Sequence, residues 1–305
     1  MHRIFITGGA GFIGYNLNKK VLQAGNDICV YDNLFNGRIE NVPVQDGAMF
    51  VKGDILDEVL LETSLKEFNP DIIIHLAALA FIPYCSEHPR ETIRINIEGT
   101  QIVCDLAVKY KVSRLFFAST AAVYKVSDEA MREETELNPI EIYGLSKMAC
   151  EHIVEYTSLK SGISMISLRF FNAYGPKETN PYVIPHLIEQ LKNGKTRIRL
   201  GNLEPKRDFI HTEDLTDAII SIIDLNVDGY DVFNIGTGRE YSVIEIVKYL
   251  QDAIGSKIEV ISDEKFIRKV DRMHLLSDIS KVIKTTGWHP KKDLNEGLRE
   301  LLFEK

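Results

Sequence analysis

The segment Thr7-Gly8-Gly9-Ala10-Gly11-Phe12-Ile13-Gly14 constrains this chain more than any other. It joins a run of strand-type residues, Arg3–Thr7, to a segment of helical period, Gly11–Ala24. Strand, glycine turn and helix in that order make a phosphate-binding turn. Gly8 permits the tight bend, Gly11 lets backbone approach a pyrophosphate at the helix N-terminus, and Gly14 lets the helix pack closely on a sheet. The spacing is Gly-x-x-Gly-x-x-Gly, so the flanking strand and helix carry more of the meaning than the glycines do.

The alternation continues. Asp27–Tyr31, Met49–Val51, Ile72–Leu76, Arg114–Ala118 and Ser164–Arg169 read as further strands, with helices at Thr92–Tyr110 and Tyr143–Ser161 between them. Six strands with helical crossovers predict an α/β fold built on a doubly wound parallel sheet of the Rossmann kind. After Asn172-Ala-Tyr-Gly-Pro176 the pattern breaks. A helix at Val183–Asn193, strands at Arg197–Leu200 and Tyr230–Ile235, and a helix at Ser242–Ala253 with Ser242 as N-cap follow. The expected organisation is a dinucleotide-binding domain over 1–173, to which 206–238 returns, and a smaller substrate-binding α/β region over 174–305.

Composition narrows the function classes. With 45% hydrophobic and 26% charged residues among 305, the chain is a folded globular one, long enough for two domains at about 150 residues each. Thirty-six Lys and Arg against 44 Asp and Glu leave a formal charge of −8, which argues against nucleic acid or an anionic membrane as partner. Any anionic ligand must then be held by local groups. The longest apolar run, residues 71–82, is broken by His75 and is shorter than the about 18 residues of a membrane span. The opening Met1-His-Arg-Ile-Phe-Ile lacks a signal-type apolar core, which makes the cytoplasm the expected compartment. Cys29, Cys85, Cys104 and Cys150 are dispersed and no His-Glu-x-x-His occurs, so neither disulfides nor a metal centre is expected. Cys85 stands out because Phe81-Ile-Pro-Tyr-Cys-Ser reads as a loop.

Two carboxylates point to the cofactor. The second strand ends Val30-Tyr31-Asp32-Asn33. A carboxylate there accepts hydrogen bonds from adenosine ribose hydroxyls and repels a 2′-phosphate, so NAD is expected rather than NADP; the plainer reading is a turn-forming Asp-Asn pair. Asp54, in Gly53-Asp54-Ile55 after the third strand, stands where a carboxylate hydrogen-bonds an adenine amino group.

Three Tyr-x-x-x-Lys quartets occur, at Tyr15–Lys19, Tyr143–Lys147 and Tyr156–Lys160. Only Tyr143 opens a helix that follows a strand ending in hydroxyl residues, Ser119-Thr120. At i,i+4 spacing Lys147 shares a helical face with Tyr143, and its ammonium is expected to draw the phenol pKa down from about 10. Tyr143 is then a general base and acid, with Thr120 hydrogen-bonding the same substrate oxygen.

These motifs, with Gly37-Arg38, His75-Leu-Ala-Ala78, Asn96, Gly99-Thr100, Ser119-Thr-Ala-Ala-Val-Tyr124, Arg169-Phe-Phe-Asn-Ala-Tyr-Gly-Pro176, Arg207-Asp-Phe209, Asn234-Ile-Gly236 and Gly287-Trp-His-Pro290, cover nearly the whole length. The chain resembles the nucleotide-sugar epimerases among the extended short-chain dehydrogenases/reductases, the family of the UDP-glucose 4-epimerases. The resemblance implies inversion at C4 of a nucleotide-activated hexose through a transient 4-keto sugar, with Thr120, Tyr143 and Lys147 catalytic. It implies NAD binding by Gly8, Gly11, Phe12, Ile13, Asp32, Asn33, Asp54, Ile55, Leu76, Ala77, Ala78, Asn96, Tyr143 and Lys147. For the substrate it implies Thr120, Asn172, Arg207 and Arg268, with Ile198 and Leu200 flanking the base. Guanidinium forks suit a diphosphate held by an acidic protein, although Arg207 beside Asp208 also reads as a surface ion pair.

Two other functions share these motifs. A 4,6-dehydratase of the same family carries Asp-Glu after the active-site threonine, where this chain has Ala121-Ala122; a non-catalytic dinucleotide sensor would use the same fold. Glucose, N-acetylhexosamine and uronate substrates remain open. The family position that admits an N-acetyl group is Leu275 here, roomier than an aromatic. By the same resemblance the helices at 92–110 and 143–161 pair across a homodimer, though Ile93, Ile97, Val103, Ile153 and Val154 serve equally as internal core.

Overall fold

Arg3–Thr7 is strand β1 in the computed structural model, whose description covers residues 1–225, 227–263 and 272–304. There follow α1 (Phe12–Gln23), β2 (Asp27–Asp32), β3 (Met49–Lys52), α2 (Glu58–Phe68), β4 (Ile72–His75), α3 (Ile82–Glu87), α4 (Pro89–Ile93), α5 (Gly99–Lys109), β5 (Arg114–Thr120), α6 (Ile142–Ser161) and β6 (Ser164–Phe170). Next come β7 (Asn172–Tyr174), α7 (Val183–Lys192), β8 (Arg197–Leu200), β9 (Lys206–His211), α8 (Thr212–Ile222) and β10 (Tyr230–Ile235). The chain ends with β11 (Glu240–Ser242), α9 (Val243–Ile254), β12 (Glu259–Ser262), α10 (Ser280–Thr286) and α11 (Leu294–Phe303). Two compact units result, residues 1–125, 133–170 and 216–233 in the first, and 126–132, 171–215 and 234–305 in the second.

In the first unit the main sheet among the described residues has the order β10-β6-β5-β4-β1-β2-β3, and the pairings from β6 through β3 are parallel. Since β1 lies between β2 and β4, the chain winds outward in both directions and the strand ends part between β1 and β4. Helices cover the sheet, so β1, β2, β4 and β6 are near-continuous buried runs. Leu61, Leu65 and Phe68 of α2, Val103 and Leu106 of α5, and Val154 of α6 pack with Phe5, Tyr31, Ile73, Leu115, Phe117 and Met165. Each such side chain contributes about 1.5–3 kcal/mol by leaving water, which fixes the helices that present the site.

Several expectations change. The helix at 92–110 is broken by a π-turn, Arg94–Glu98, between α4 and α5. Val103 and Val154 are core, Ile97 and Ile153 pack against it, and Ile93 is exposed. Cys85 is buried within α3, whose Pro83 sits in the first helical turn, and is not in a loop.

The second unit holds two small sheets, β11-β9-β7 and β12-β8, around a core that includes Ile184, Leu187, Phe209, Ile246, Leu250 and Leu298. Ser242 caps α9 in a reciprocal box with Glu245. Asp208 of β9 is fully buried and accepts hydrogen bonds from Thr237 N, Thr237 Oγ1, Gly238 N and Ser277 Oγ, tying two loops to its strand. Among the described residues no helix is long and apolar enough to cross a membrane.

Candidate active site

The glycine turn is tightly determined. Gly8 has φ +70° and donates its N–H to Tyr31 O at 2.8 Å; a Cβ there would lie 2.6 Å from Ala77 N. Gly14 has a different reason from the expected one. A Cβ at Gly14 would strike Gly9 O at 2.1 Å, so this glycine admits the backbone of its own turn against the helix. Asn18 donates to Gly9 O at 2.8 Å and Asn41 donates to Ala10 O at 2.9 Å. These two buried amides hold the turn's carbonyls away from the helix mouth. Gly11 caps α1 without a side-chain hydrogen bond, and no acid occupies the first turn, so the partial positive charge there stands open to an anion.

Asp32 ends β2 nearly buried. Its carboxylate accepts from Ala10 N at 3.0 Å and Leu34 N at 2.7 Å, and burial pushes its pKa up. The bond to Leu34 N holds that residue at φ +62°, a conformation a leucine adopts only under constraint. Asn33 donates to Asp54 at 2.8 Å, and Asp54 also accepts from Leu56 N at 2.9 Å. Ile55 is buried beneath the helix start at Gly99. Phe12, Ile13, Leu76, Ala77 and Ala78 are half-buried.

Thr120, at the end of β5, and Tyr143, in the first turn of α6, share a side-chain hydrogen bond. Burial raises the Tyr143 phenol pKa, and the Thr120 bond opposes this only in part. The expected lowering by Lys147 is therefore not what the structure displays: desolvation sets the direction. Lys147 is 2% exposed, donates to Ala118 O at 2.8 Å, and sits 4.6 Å from the centre of the Phe117 ring. Burial lowers its pKa to about 8. In the other quartets the ammonium lies over its own tyrosine ring, Lys19 on Tyr15 at 3.9 Å and Lys160 on Tyr156 at 5.9 Å.

Asn96, inside the π-turn, spends its amide internally. It accepts from Leu79 N at 2.8 Å and donates to Leu79 O at 3.0 Å and Ser146 Oγ at 2.9 Å, while Ser146 Oγ donates to Tyr143 O at 2.8 Å. The residue thus joins the segment after β4 to the start of α6. A π-turn at such a position opens the helix enough to admit the amide.

In the second unit Asn172 of β7 pairs with Phe209 of β9 in parallel register. Arg207 donates to Lys206 O at 2.8 Å and Arg272 O at 2.7 Å, and Asp208 turns inward to its loop partners, which removes the surface ion pair as an account of Arg207. Ile198 and Leu200 are buried in the core of this unit, because β8 alternates inward Ile and Leu with outward Arg197 and Arg199. Arg268 lies outside the described residues.

Residues 4–236 match the model of the family described as "NAD dependent epimerase/dehydratase family". The chain belongs to that family. It is 32% identical over 98% of its length, and 97% of the relative's, to a putative UDP-glucose 4-epimerase of Methanocaldococcus jannaschii. Among solved structures it is similar to a UDP-glucose 4-epimerase of Thermotoga maritima with UDP-glucose, at TM-score 0.92 and 30% identity, covering 98% of this chain and 97% of that one. A UDP-N-acetylglucosamine 4-epimerase of Methanobrevibacter ruminantium in complex with UDP-N-acetylmuramic acid gives TM-score 0.89 and 28% identity, with coverage of 99% and 97%.

As a member of this family the chain is an NAD-dependent enzyme, and its residues fit that cofactor. The turn's close approaches leave no room for Cβ atoms at Gly8 and Gly14, and the unblocked start of α1 matches a diphosphate. Each oxygen of Asp32 accepts one backbone N–H and keeps a second lone pair for a ribose hydroxyl. A 2′-phosphate beside that carboxylate would be repelled, which suits NAD rather than NADP.

Proposed function

We propose that this NAD-dependent nucleotide-sugar epimerase inverts C4 of a UDP-activated hexose through a transient 4-keto sugar. The observation that carries the reading is the hydrogen-bonded Thr120–Tyr143 pair with buried Lys147 one helical turn on. NAD, when bound at the glycine turn and Asp32, supplies the oxidation and return reduction of the sugar carbon. Tyr143 takes the proton from the 4-hydroxyl and later gives it back. Burial keeps the phenol protonated, so the positive charge of Lys147 is what stabilises the phenolate that accepts the proton. Thr120 hydrogen-bonds the same sugar oxygen and orients it toward the phenol. Asn172 and Arg207 hold the diphosphate, Arg207 with its Nη1 anchored on two backbone carbonyls. Asn96 keeps the segment after β4 and the start of α6 in register.

Dehydration is disfavoured by Ala121 and Ala122, buried after Thr120 and without groups to move a second proton. The test is a panel of UDP-, dTDP-, GDP- and CDP-sugars incubated with the purified chain, with products read by NMR. A C4 epimer of a UDP-sugar is expected. A 4-keto-6-deoxy product, or no reaction with any sugar, overturns the reading.

The sugar class follows from Leu275, buried at the family's N-acetyl position. UDP-N-acetylhexosamine is expected to turn over alongside UDP-glucose. In Leu275→Tyr the kcat/KM ratio of the N-acetyl sugar to glucose should fall about tenfold or more, the size of effect a filled apolar pocket gives. An unchanged ratio removes Leu275 from the selection.

A further inference from the structure

Glu151 of α6 and Arg169 of β6 form an ion pair whose side chains are 4% and 5% exposed, and no step of the proposed reaction uses it. Arg169 grips the carboxylate with Nε at 2.9 Å and Nη2 at 2.7 Å, and Ser119 Oγ donates to the same carboxylate. The remaining guanidinium nitrogen donates to Tyr124 Oη at 2.9 Å and Glu133 O at 2.7 Å. A buried pair of this kind is weak evidence for stability, since apolar residues of similar volume often do as well. Its placement suggests another use. Ser119 and Arg169 are direct register partners across β5 and β6. Ser119 stands between Ala118, whose carbonyl receives Lys147, and Thr120, which bonds Tyr143. Glu151 itself lies at i+4 from Lys147, on the same helical face.

The groups around Lys147 sharpen the point. Burial holds the thiols of Cys85 on α3 and Cys150 on α6, and the Tyr143 phenol, above their ordinary pKa values, and holds His75 at the end of β4 down to about 3. All four are neutral near pH 7. Phe117 offers only a ring face. The Glu151 carboxylate bears on this ammonium and favours its protonated form.

We propose that Glu151 is a positioning residue acting through Lys147: clamped by Arg169 and Ser119, it supplies the counter-charge that keeps the buried ammonium protonated and aimed at the end of β5. This rests on the reading of Tyr143 and Lys147 as the proton-handling pair. Burial draws Lys147 down to about 8, and Glu151 opposes that fall. Since activity needs the ammonium, loss of its proton gives the alkaline limb of the kcat profile. Removing the carboxylate charge lets that limb move to lower pH, by about two units for charges about 5–6 Å apart at an effective dielectric near 20.

The experiment measures kcat and KM against pH on UDP-glucose for wild type, E151Q and E151D. In parallel, 15Nζ NMR follows the Lys147 titration in the full chain without substrate. In E151Q both the kinetic limb and the Lys147 titration should move acidward, with KM unchanged. E151D keeps the charge, so its limb should stay in place while kcat drops from the shortened clamp. Should E151Q leave Arg169 unpaired and fail to fold, E151Q/R169M removes both charges and should show a smaller shift in the same acidward direction, because the guanidinium that opposed the carboxylate is gone as well. A Lys147 titration unmoved in the folded charge-free variant overturns the proposal. A wild type that epimerises nothing, yet whose Lys147 titration moves in E151Q, overturns the functional reading and leaves the coupling standing.

Discussion

Tyr143→Phe is expected to cut kcat by about 10²–10⁴-fold, the usual size of a general acid–base contribution, while NAD affinity stays within about twofold. Only the phenolic oxygen is lost. The ring remains in the first turn of α6, Lys147 of the same helix is kept, and the glycine turn and Asp32, which carry further expected cofactor contacts, lie on other elements. Thr120 loses one partner but keeps its bond from Ala122 N at 3.2 Å. Isothermal titration with NAD beside a coupled epimerase assay measures both quantities. Tyr15→Phe and Tyr156→Phe are the controls, since their lysines only cover the ring faces; neither should change kcat. Residual turnover above about a tenth of wild type in Tyr143→Phe would remove the phenol from proton transfer. A dinucleotide sensor would keep its ligand response in that variant and show no turnover in wild type either.

What could be read from the sequence was local. The β1–turn–α1 unit and Asp32 follow from period and spacing within one βαβ stretch, and both stand where expected. The inward faces of Ile198 and Leu200 went unread, although Arg-Ile-Arg-Leu is a period-two pattern whose apolar members face the core. The Tyr143 environment was not legible. Spacing identifies a charge partner for the phenol, but only packing determines how much water is excluded, and desolvation is the largest cause of its shift. Asn18, Asn41 and the Glu151–Arg169–Ser119 clamp were invisible for a related reason. Their partners lie 9, 31, 18 and 32 residues away in sequence, and single polar residues in helices or strands carry no periodic signal. The π-turn at Asn96 likewise depends on Leu79 and Ser146, 17 and 50 residues off.

Gly14→Ala and Gly11→Ala should separate the glycine that builds the turn from the glycine that meets the ligand. At Gly14 the new methyl would lie 2.1 Å from Gly9 O, 2.5 Å from Gly9 C and 2.7 Å from Gly9 Cα, all backbone. Gly9 cannot retreat easily: Asn18 holds its carbonyl, and its own α-carbon is hemmed in by Val30 and Ile6. The turn must open, costing about 1–3 kcal/mol of stability as overpacking does, and NAD affinity should fall by about 100-fold or more because the amides no longer converge on one diphosphate. At Gly11 φ is −80° and the nearest protein atom to a new methyl is Gly8 O at 3.2 Å, so the fold needs only a slight adjustment. That methyl does stand at the helix mouth, where the diphosphate approaches. Gly11→Ala should therefore keep the wild-type melting temperature within about 2 °C, less than 1 kcal/mol, and still lose NAD affinity. Thermal melting of the two variants with and without NAD reads both effects. Equal destabilisation would make Gly11 a structural glycine, and unimpaired NAD binding in Gly11→Ala would mean that the diphosphate does not sit on the start of α1.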